Sequence, residues 1–234
     1  MSPRQKMINL MYVVLMAMLA LNVSSDVLKG FSLVDKSLNV STQNASLTNA
    51  AIYQQFEEQM QANPTKTREW YEKAMYVRAM SDSLYNFADT LKYLIVREAD
   101  GKDARVDSIR NKEDLEAAAQ VMLTTPRATD LLNRIISYRT RIVQMVSDPV
   151  QRKIIEGNFS TEVPESERIQ GKNWEQYMYE NMPVAAAVTL LTKLQSDVRD
   201  AEGEVLHTLV SNIDMKDIRV NELNAYVIPS SRTV

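Results

Sequence analysis

Apolar residues recur along most of the chain at spacings of three, four and seven, with polar residues between them. This periodicity is typical of amphipathic helices that bury one face. The clearest example is the second helical segment, where Trp70, Val77, Leu84 and Leu91 follow one another by sevens. The pattern predicts long helices over residues 26–61, 64–99, 126–146 and 174–213. Four long amphipathic helices with shorter connections predict an all-α fold, a helical bundle of four long helices.

Charge, proline and glycine mark the connections between these segments. Residues 100–112 predict an exposed loop, residues 113–122 a short helix and residues 158–172 a polar loop. Two of the long helices carry an irregularity. The middle of the first, 39–49, is rich in Ser, Thr and Asn and therefore poor in helix propensity, and the last contains Pro183. We predict that both helices continue through these positions.

The N-terminal stretch has a different pattern. Residues 10–21 are apolar, without a charge, glycine or proline, and a basic lead with Arg4 and Lys6 precedes them. Counted over 7–23, the apolar stretch is roughly 25 Å of helix, a little shorter than a hydrocarbon core of about 30 Å. The two basic side chains could reach the headgroups and make up the difference. We interpret 1–25 as a cytoplasmic lead and a single transmembrane helix. The residues predicted to pack within the membrane are Leu10, Met11, Val14, Leu15, Met18 and Leu21.

A second interpretation of the same stretch is a cleaved signal peptide, with a basic start, a short apolar core and small residues near 23–25. Positively charged residues are retained on the cytoplasmic side of a membrane. Both interpretations therefore place Arg4 and Lys6 in the cytoplasm and the chain from Asp26 onward in the periplasm. Hydropathy alone does not decide whether the helix is retained.

The C-terminal residues change in character. Residues 218–220 and 225–229 are rich in β-branched and aromatic side chains, which predicts a strand or a linker. An isolated strand has no pairing partner in a helical bundle. We therefore expect the chain to be a fragment that ends at the start of a further, β-rich domain. The expected divisions are 1–25, a periplasmic helical bundle over 26–215, and 216–234.

Composition narrows the function classes. The formal net charge of −3 does not favour a nucleic-acid partner, and the absence of cysteine excludes thiol catalysis, disulfides and cysteine-ligated metals. The sequence has no phosphate loop, dinucleotide fingerprint, nucleophile elbow or HExxH motif. We therefore expect no enzyme activity, and no catalytic, cofactor-binding or metal site. The residues interpreted as surface positions on helices are His207, Glu57, Glu58, Glu202 and Glu204.

One further sequence motif lies at the predicted membrane end of the chain. Residues 2–12 read SPRQKMINLMY and residues 17–24 read AMLALNVS. These residues resemble the N-terminus of the GldM/PorM proteins, which are gliding-motility and type IX secretion components of Bacteroidota. The resemblance is dense over these residues, and beyond Asp26 it rests on helical architecture more than on motifs.

The resemblance implies an inner-membrane motor driven by proton flow. In this family, a homodimer threads its two helices through a pentameric ring of a partner, GldL/PorL. A periplasmic rod then transmits rotation to outer-membrane-linked secretion components. Family members retain the N-terminal helix and continue into β-rich domains, and the resemblance therefore favours retention of the helix here.

The resemblance also implies roles for individual residues. The family's arginine at the position of Arg4 pairs with a membrane glutamate of the ring, and its tyrosine at the position of Tyr12 lies in the same interface. We add Asn9, because a polar side chain at that depth requires a partner. These three residues are the predicted interface and ion-coupling residues. The alternative is a secreted or anchored helical adaptor or binding domain without a motor role, in which Arg4 and Lys6 are only topology signals.

Overall fold

The computed structural model describes residues 3–20 and 24–224. Within these ranges the chain forms helices joined by turns and loops, without a strand. The predicted long helices correspond to α2, α3, α5 and α9, which confirms the all-helical bundle for the described residues. The helices are α1 (Pro3–Ala20), α2 (Ser25–Ala62), α3 (Pro64–Asp100), α4 (Ala117–Leu123), α5 (Arg127–Met145), α6 (Pro149–Asn158), α7 (Glu165–Ile169), α8 (Trp174–Tyr179) and α9 (Val184–Asn224).

The heptad spacing that predicts α3 also defines its buried face. Val77, Leu84 and Leu91 are at most 3% exposed. Residues seven apart lie two turns apart on one side of a helix, so the same face is buried along its length. In α5 the buried residues are spaced alternately three and four positions apart. They are Ala128, Leu131, Ile135, Tyr138 and Ile142.

The polar middle of α2 is helical, as predicted. Side chains there return hydrogen bonds to the helix's own backbone: the Asn39 amide donates to the carbonyl of Asp35 at 3.0 Å, and the Thr48 hydroxyl donates to that of Asn44 at 3.1 Å. Thr42 and Asn49 are buried. Tertiary packing thus overrides the low intrinsic propensity of this segment.

The helices contribute to two compact units. The first contains the described residues of 1–39, 87–132 and 161–193, and the second contains those of 40–86, 133–160 and 194–224. Each unit has its own buried side chains. In the first these include Leu91, Ile95, Met122, Leu131 and Leu191, and in the second Phe56, Ile142, Phe159, Val205 and Leu206.

In the first unit, Asp100 orders the charged loop that follows α3. Its carboxylate is 1% exposed and accepts the backbone N–H groups of Arg110 and Asn111, each at 2.8 Å. Gly101 has a φ of +84°, a left-handed conformation that ends the helix at little steric cost. The predicted loop is therefore present, and its start is fixed by a buried side chain.

The same loop caps the start of α9. The first N–H groups of a helix have no acceptor within the helix. The N–H of Val184 donates to the carbonyl of Asp114 at 3.0 Å, and the N–H of Ala185 donates to that of Lys112 at 3.1 Å. Two otherwise unsatisfied donors at the N-terminus of α9 are therefore paired.

The structure corrects the prediction of one helix over 174–213. Helix α8 ends at Tyr179, Asn181 adopts a φ of +54°, and α9 begins directly after Pro183. Proline cannot donate a backbone hydrogen bond but suits the start of a helix. The apolar periodicity is therefore the same on both sides of Pro183, although the helix is interrupted there by a turn.

The prediction of a strand or linker at 218–220 is wrong, because α9 extends through these residues to Asn224. Helix α9 is continuous over these residues, so the β propensity of three residues does not set the local structure. The second predicted segment, 225–229, and the rest of the chain to 234 lie outside the described residues.

The predicted transmembrane segment coincides in part with α1. Among the helices of residues 3–20 and 24–224, none is both long enough and apolar enough to cross a membrane.

Candidate functional site

Helix α1 exposes apolar side chains around its whole circumference. The described apolar side chains of 7–16 are about half to three-quarters exposed, with Leu10 at 63% and Met11 at 72%. Charge is confined to Arg4 and Lys6 at its start. A helix that is apolar on all sides is typical of one surrounded by other apolar groups.

The three predicted site residues are all exposed on α1 but do not share one face. At about 100° and 1.5 Å per residue, Tyr12 lies roughly 80° around the helix from Arg4 and about 12 Å along it. Asn9 lies roughly 140° from Arg4. The face of Arg4 continues instead through Met11 and Leu15. Arg4 and Tyr12 can therefore contact adjoining parts of one partner, whereas Asn9 is turned away from Arg4.

The predicted membrane-packing residues divide into two sets. The side chains of Leu10, Met11, Val14 and Leu15 are described and are each at least 49% exposed. They are available to a surface outside the chain. Met18 and Leu21 lie outside the residues whose side chains the structure describes.

A second candidate site lies inside the second unit, around the buried carboxylate of Glu202 on α9. Glu202 is 1% exposed. Its Oε1 accepts the hydroxyl of Tyr53 at 2.6 Å, and its Oε2 accepts Nδ2 of Asn49 at 3.2 Å and Nη1 of Arg199 at 2.8 Å. A buried carboxylate is tolerated when it is paired and hydrogen-bonded, and three donors meet that requirement here.

Arg199 links this carboxylate to α3. Its Nη2 donates to Asp82 Oδ1 at 2.8 Å, and its guanidinium lies 4.5 Å from the centre of the Tyr85 ring. Burial alone would lower the pKa of Arg199, but its hydrogen bonds to Glu202 and Asp82 raise it above the usual value. The guanidinium therefore stays charged and holds two helices through two carboxylates.

Two buried tyrosines complete the cluster. Burial, together with the nearby charge of Glu202, raises the pKa of Tyr53 well above its ordinary value. Burial likewise raises the pKa of Tyr138 on α5, whose hydroxyl donates to the carbonyl of Val198 at 3.2 Å. Because the hydroxyl proton of Tyr138 is donated to Val198, the Ser81 hydroxyl, 3.0 Å away, is the donor in its contact with Tyr138. Polar contacts thus connect α2, α3, α5 and α9 within this unit.

Close helix approach makes Gly203 necessary in this cluster. A Cβ at Gly203 would lie 2.9 Å from Oδ1 of Asn49. A pocket of about 120 Å³ lies at this cluster, and the residues that line it are Ser46, Asn49, Ala50, Tyr53, Arg78, Asp82, Arg199 and Glu202. Because three donors engage the carboxylate of Glu202, the arrangement suits the positioning of helices better than acid–base chemistry.

The interpretation of Glu202 as a surface residue is wrong, whereas His207, Glu57 and Glu58 are exposed as expected. The sequence did contain an indication that Glu202 is buried. Glu202 lies four residues after Val198 and seven before Leu209, on the apolar stripe of α9. A charged residue in register with such a stripe indicates a buried, partnered side chain.

Comparison with known proteins gives one result for most of the chain. The family model described as the GldM N-terminal domain matches residues 26–212, from the start of α2 into α9. A search of curated proteins found no match.

Proposed function

The chain belongs to the family of the GldM N-terminal domain and is thus a component of gliding motility and type IX secretion, and we propose that it is an inner-membrane subunit of a proton-driven rotary motor in that machinery. In this proposal the bundle lies in the periplasm and makes no covalent change to a substrate. It transmits motion towards outer-membrane-linked secretion components.

The observation that carries the proposal is the exposed apolar surface of α1 beside a basic N-terminal end. Side chains such as Met11 and Leu15 have no cover within the described part of the chain and would be covered by lipid or by apolar helices of a ring. Arg4 and Lys6 precede them, as expected at the cytoplasmic end of a single-pass helix. The proposal therefore places α1 in the inner membrane with its N-terminus in the cytoplasm.

Arg4 is the proposed coupling residue. Its face of α1 is otherwise apolar, so at the membrane margin its guanidinium would require a carboxylate from another protein. The proposed partner is a pentameric GldL/PorL-like ring around two copies of this chain. Moving one elementary charge across the membrane potential supplies about 2.3 kcal/mol per 100 mV, so a carboxylate that alternates between protonated and Arg4-paired states can drive stepwise motion.

The test compares removal of charge at two neighbouring positions in cells that also produce the ring protein. Arg4→Ala should abolish gliding and type IX secretion while the complex with the ring still forms. Lys6→Ala is the matched control, because it removes the same charge from a position about 200° around the helix from Arg4. Equal activity of the two variants, with intact complexes, would remove Arg4 from the mechanism.

The competing function is a secreted or anchored adaptor without a motor role. Mass spectrometry of the mature N-terminus separates the two. Retention of residues 2–25 is expected for the motor subunit, whereas loss of that segment would rule the motor out.

A further inference from the structure

The buried cluster around Glu202 is open to solvent through the pocket at its edge. The pocket has a volume of about 120 Å³ and is lined by residues of α2, α3 and α9, all within the second unit. Three of them, Asn49, Tyr53 and Glu202, are at most 4% exposed. A volume of this size corresponds to about four water molecules. The pocket therefore has room for a ligand of only a few non-hydrogen atoms.

The mouth of the pocket is formed by two pairs of residues, each spaced by four on one helix. Ser46 and Ala50 lie on α2, and Arg78 and Asp82 lie on α3. Residues four apart are neighbours on one side of a helix. Ala50 and Arg78 are exposed, and the Asp82 side chain is 43% exposed. Because Ser46 and Ala50 are small, a ligand can reach the two charged side chains from solvent.

Arg78 and Asp82 both have hydrogen-bonding capacity that the described residues do not use. The Arg78 guanidinium lies 4.9 Å from the centre of the Tyr53 ring, but it makes no hydrogen bond or ion pair with a described residue. Oδ1 of Asp82 accepts Nη2 of Arg199 at 2.8 Å, whereas Oδ2 accepts no hydrogen bond from these residues. A guanidinium and a carboxylate oxygen with spare capacity therefore border the same pocket, one helical turn apart.

The balance of charge around the pocket disfavours a simple ion as its ligand. The lining contains two arginines, Arg78 and Arg199, and two carboxylates, Asp82 and Glu202, so their formal charges cancel. An anion bound to Arg78 would meet the like charge of Asp82 one turn away, and a cation bound to Asp82 would meet Arg78. A ligand that carries both charges satisfies both side chains at once.

We infer that this pocket binds the zwitterion of a small α-amino acid, such as glycine or alanine. The α-carboxylate accepts hydrogen bonds from Arg78, whose planar guanidinium matches a carboxylate through two parallel N–H groups. The α-ammonium donates to Oδ2 of Asp82, and the Ser46 hydroxyl can accept a second of its protons. The small volume limits the side chain of the ligand. The inference goes beyond the proposed function and does not depend on it.

The hydrogen bonds of the buried cluster fix the surroundings of both recognition groups. Tyr53, whose ring faces Arg78, is held by its 2.6 Å hydrogen bond to Glu202. Asp82 is held by Arg199, which also donates to Glu202 at 2.8 Å. Because these side chains are ordered before a ligand arrives, binding loses little of their conformational entropy. A ligand this small makes few contacts and should therefore bind in the millimolar range.

The experiment titrates glycine into the full chain in mild detergent and follows binding by saturation-transfer NMR of the ligand protons. Glycine and L-alanine should each saturate in the millimolar range. Acetate and methylammonium carry only one of the two charges, so each should compete about tenfold more weakly. Glycylglycine should also bind about tenfold more weakly, because its charges are farther apart than one pair of pocket groups accommodates.

Two variants at the mouth are paired with controls on the surface of α3. Arg78→Ala removes the donor to the α-carboxylate and should weaken glycine binding about tenfold. Arg68→Ala removes another exposed arginine of the same helix, outside the pocket, and should leave the affinity unchanged. Ala50→Leu fills the mouth without altering a charge and should abolish saturable binding. Ala79→Leu, at an exposed position outside the pocket, should retain it.

Four results would overturn the inference. They are the absence of saturable glycine binding up to about 50 mM, competition by acetate or methylammonium as strong as by alanine, equal affinity for glycylglycine, and equal affinity of the Arg78→Ala and Arg68→Ala variants. Unfolding midpoints of the variants, measured alongside, show that a loss of binding is not a loss of fold. The gliding assay of Arg4→Ala is independent of this readout, so failure of the ligand site and failure of the motor role are distinguishable.

Discussion

Removing the charge of Glu202 should be among the most destabilising conservative changes in the chain. Glu202→Gln keeps the shape of the side chain but replaces a carboxylate that accepts from Tyr53, Asn49 and Arg199. An amide accepts through one oxygen only, so at least one of the three donors loses its acceptor. Arg199 then keeps Asp82 as its charged partner. Breaking one side of a buried ion pair costs about 3–5 kcal/mol. We expect the lower end, about 3 kcal/mol, because Asp82 still neutralises the guanidinium.

A double-mutant cycle separates this cost from a general packing defect. Tyr53→Phe removes one hydrogen bond to a charged acceptor and should cost about 1.5–3 kcal/mol. If both side chains act through the 2.6 Å contact, the double variant should cost about 1 kcal/mol less than the sum of the single changes. The measurement is the free energy of unfolding in urea for the full chain in mild detergent.

Glu57→Gln is the matched control, because Glu57 is exposed on α2. Its effect should stay within about 0.5 kcal/mol. A loss of less than about 1 kcal/mol for Glu202→Gln, or strict additivity in the cycle, would refute the view that this carboxylate holds the helices together.

Two further predictions concern the same unit. Gly203→Ala should lower stability although alanine is the better helix former, because its Cβ would meet the hydrogen-bonded amide of Asn49 at 2.9 Å; Gly157→Ala, with open space around it, should be neutral or stabilising by up to about 1 kcal/mol. Alkaline conditions should also destabilise this unit. The pKa values of Tyr53 and Tyr138 are raised in the folded state, so their contribution is intact below about pH 10 and declines above it, by up to about 1.4 kcal/mol per pH unit for each. Unfolding midpoints across this range should fall less steeply for Tyr138→Phe, and an unchanged slope would contradict the assignment.

Much of the fold follows from periodicity alone. Heptad spacing predicts α3 and its buried face, because the positions of Val77, Leu84 and Leu91 repeat with the helix itself. The same reasoning fails where one residue changes the chain direction within a periodic stretch. At Pro183 the chain turns between α8 and α9. The apolar spacing on either side of Pro183 does not indicate this turn.

The sequence was less informative about the polar interior. Charge suggested a solvated position for Glu202, although its place between Val198 and Leu209 indicated burial. Its partners Asn49 and Tyr53 come from α2, about 150 positions away in the sequence, and its neighbour Arg199 is tied to Asp82 of α3, 117 positions away. Such a cluster depends on which helices become neighbours, and helical periodicity does not specify that.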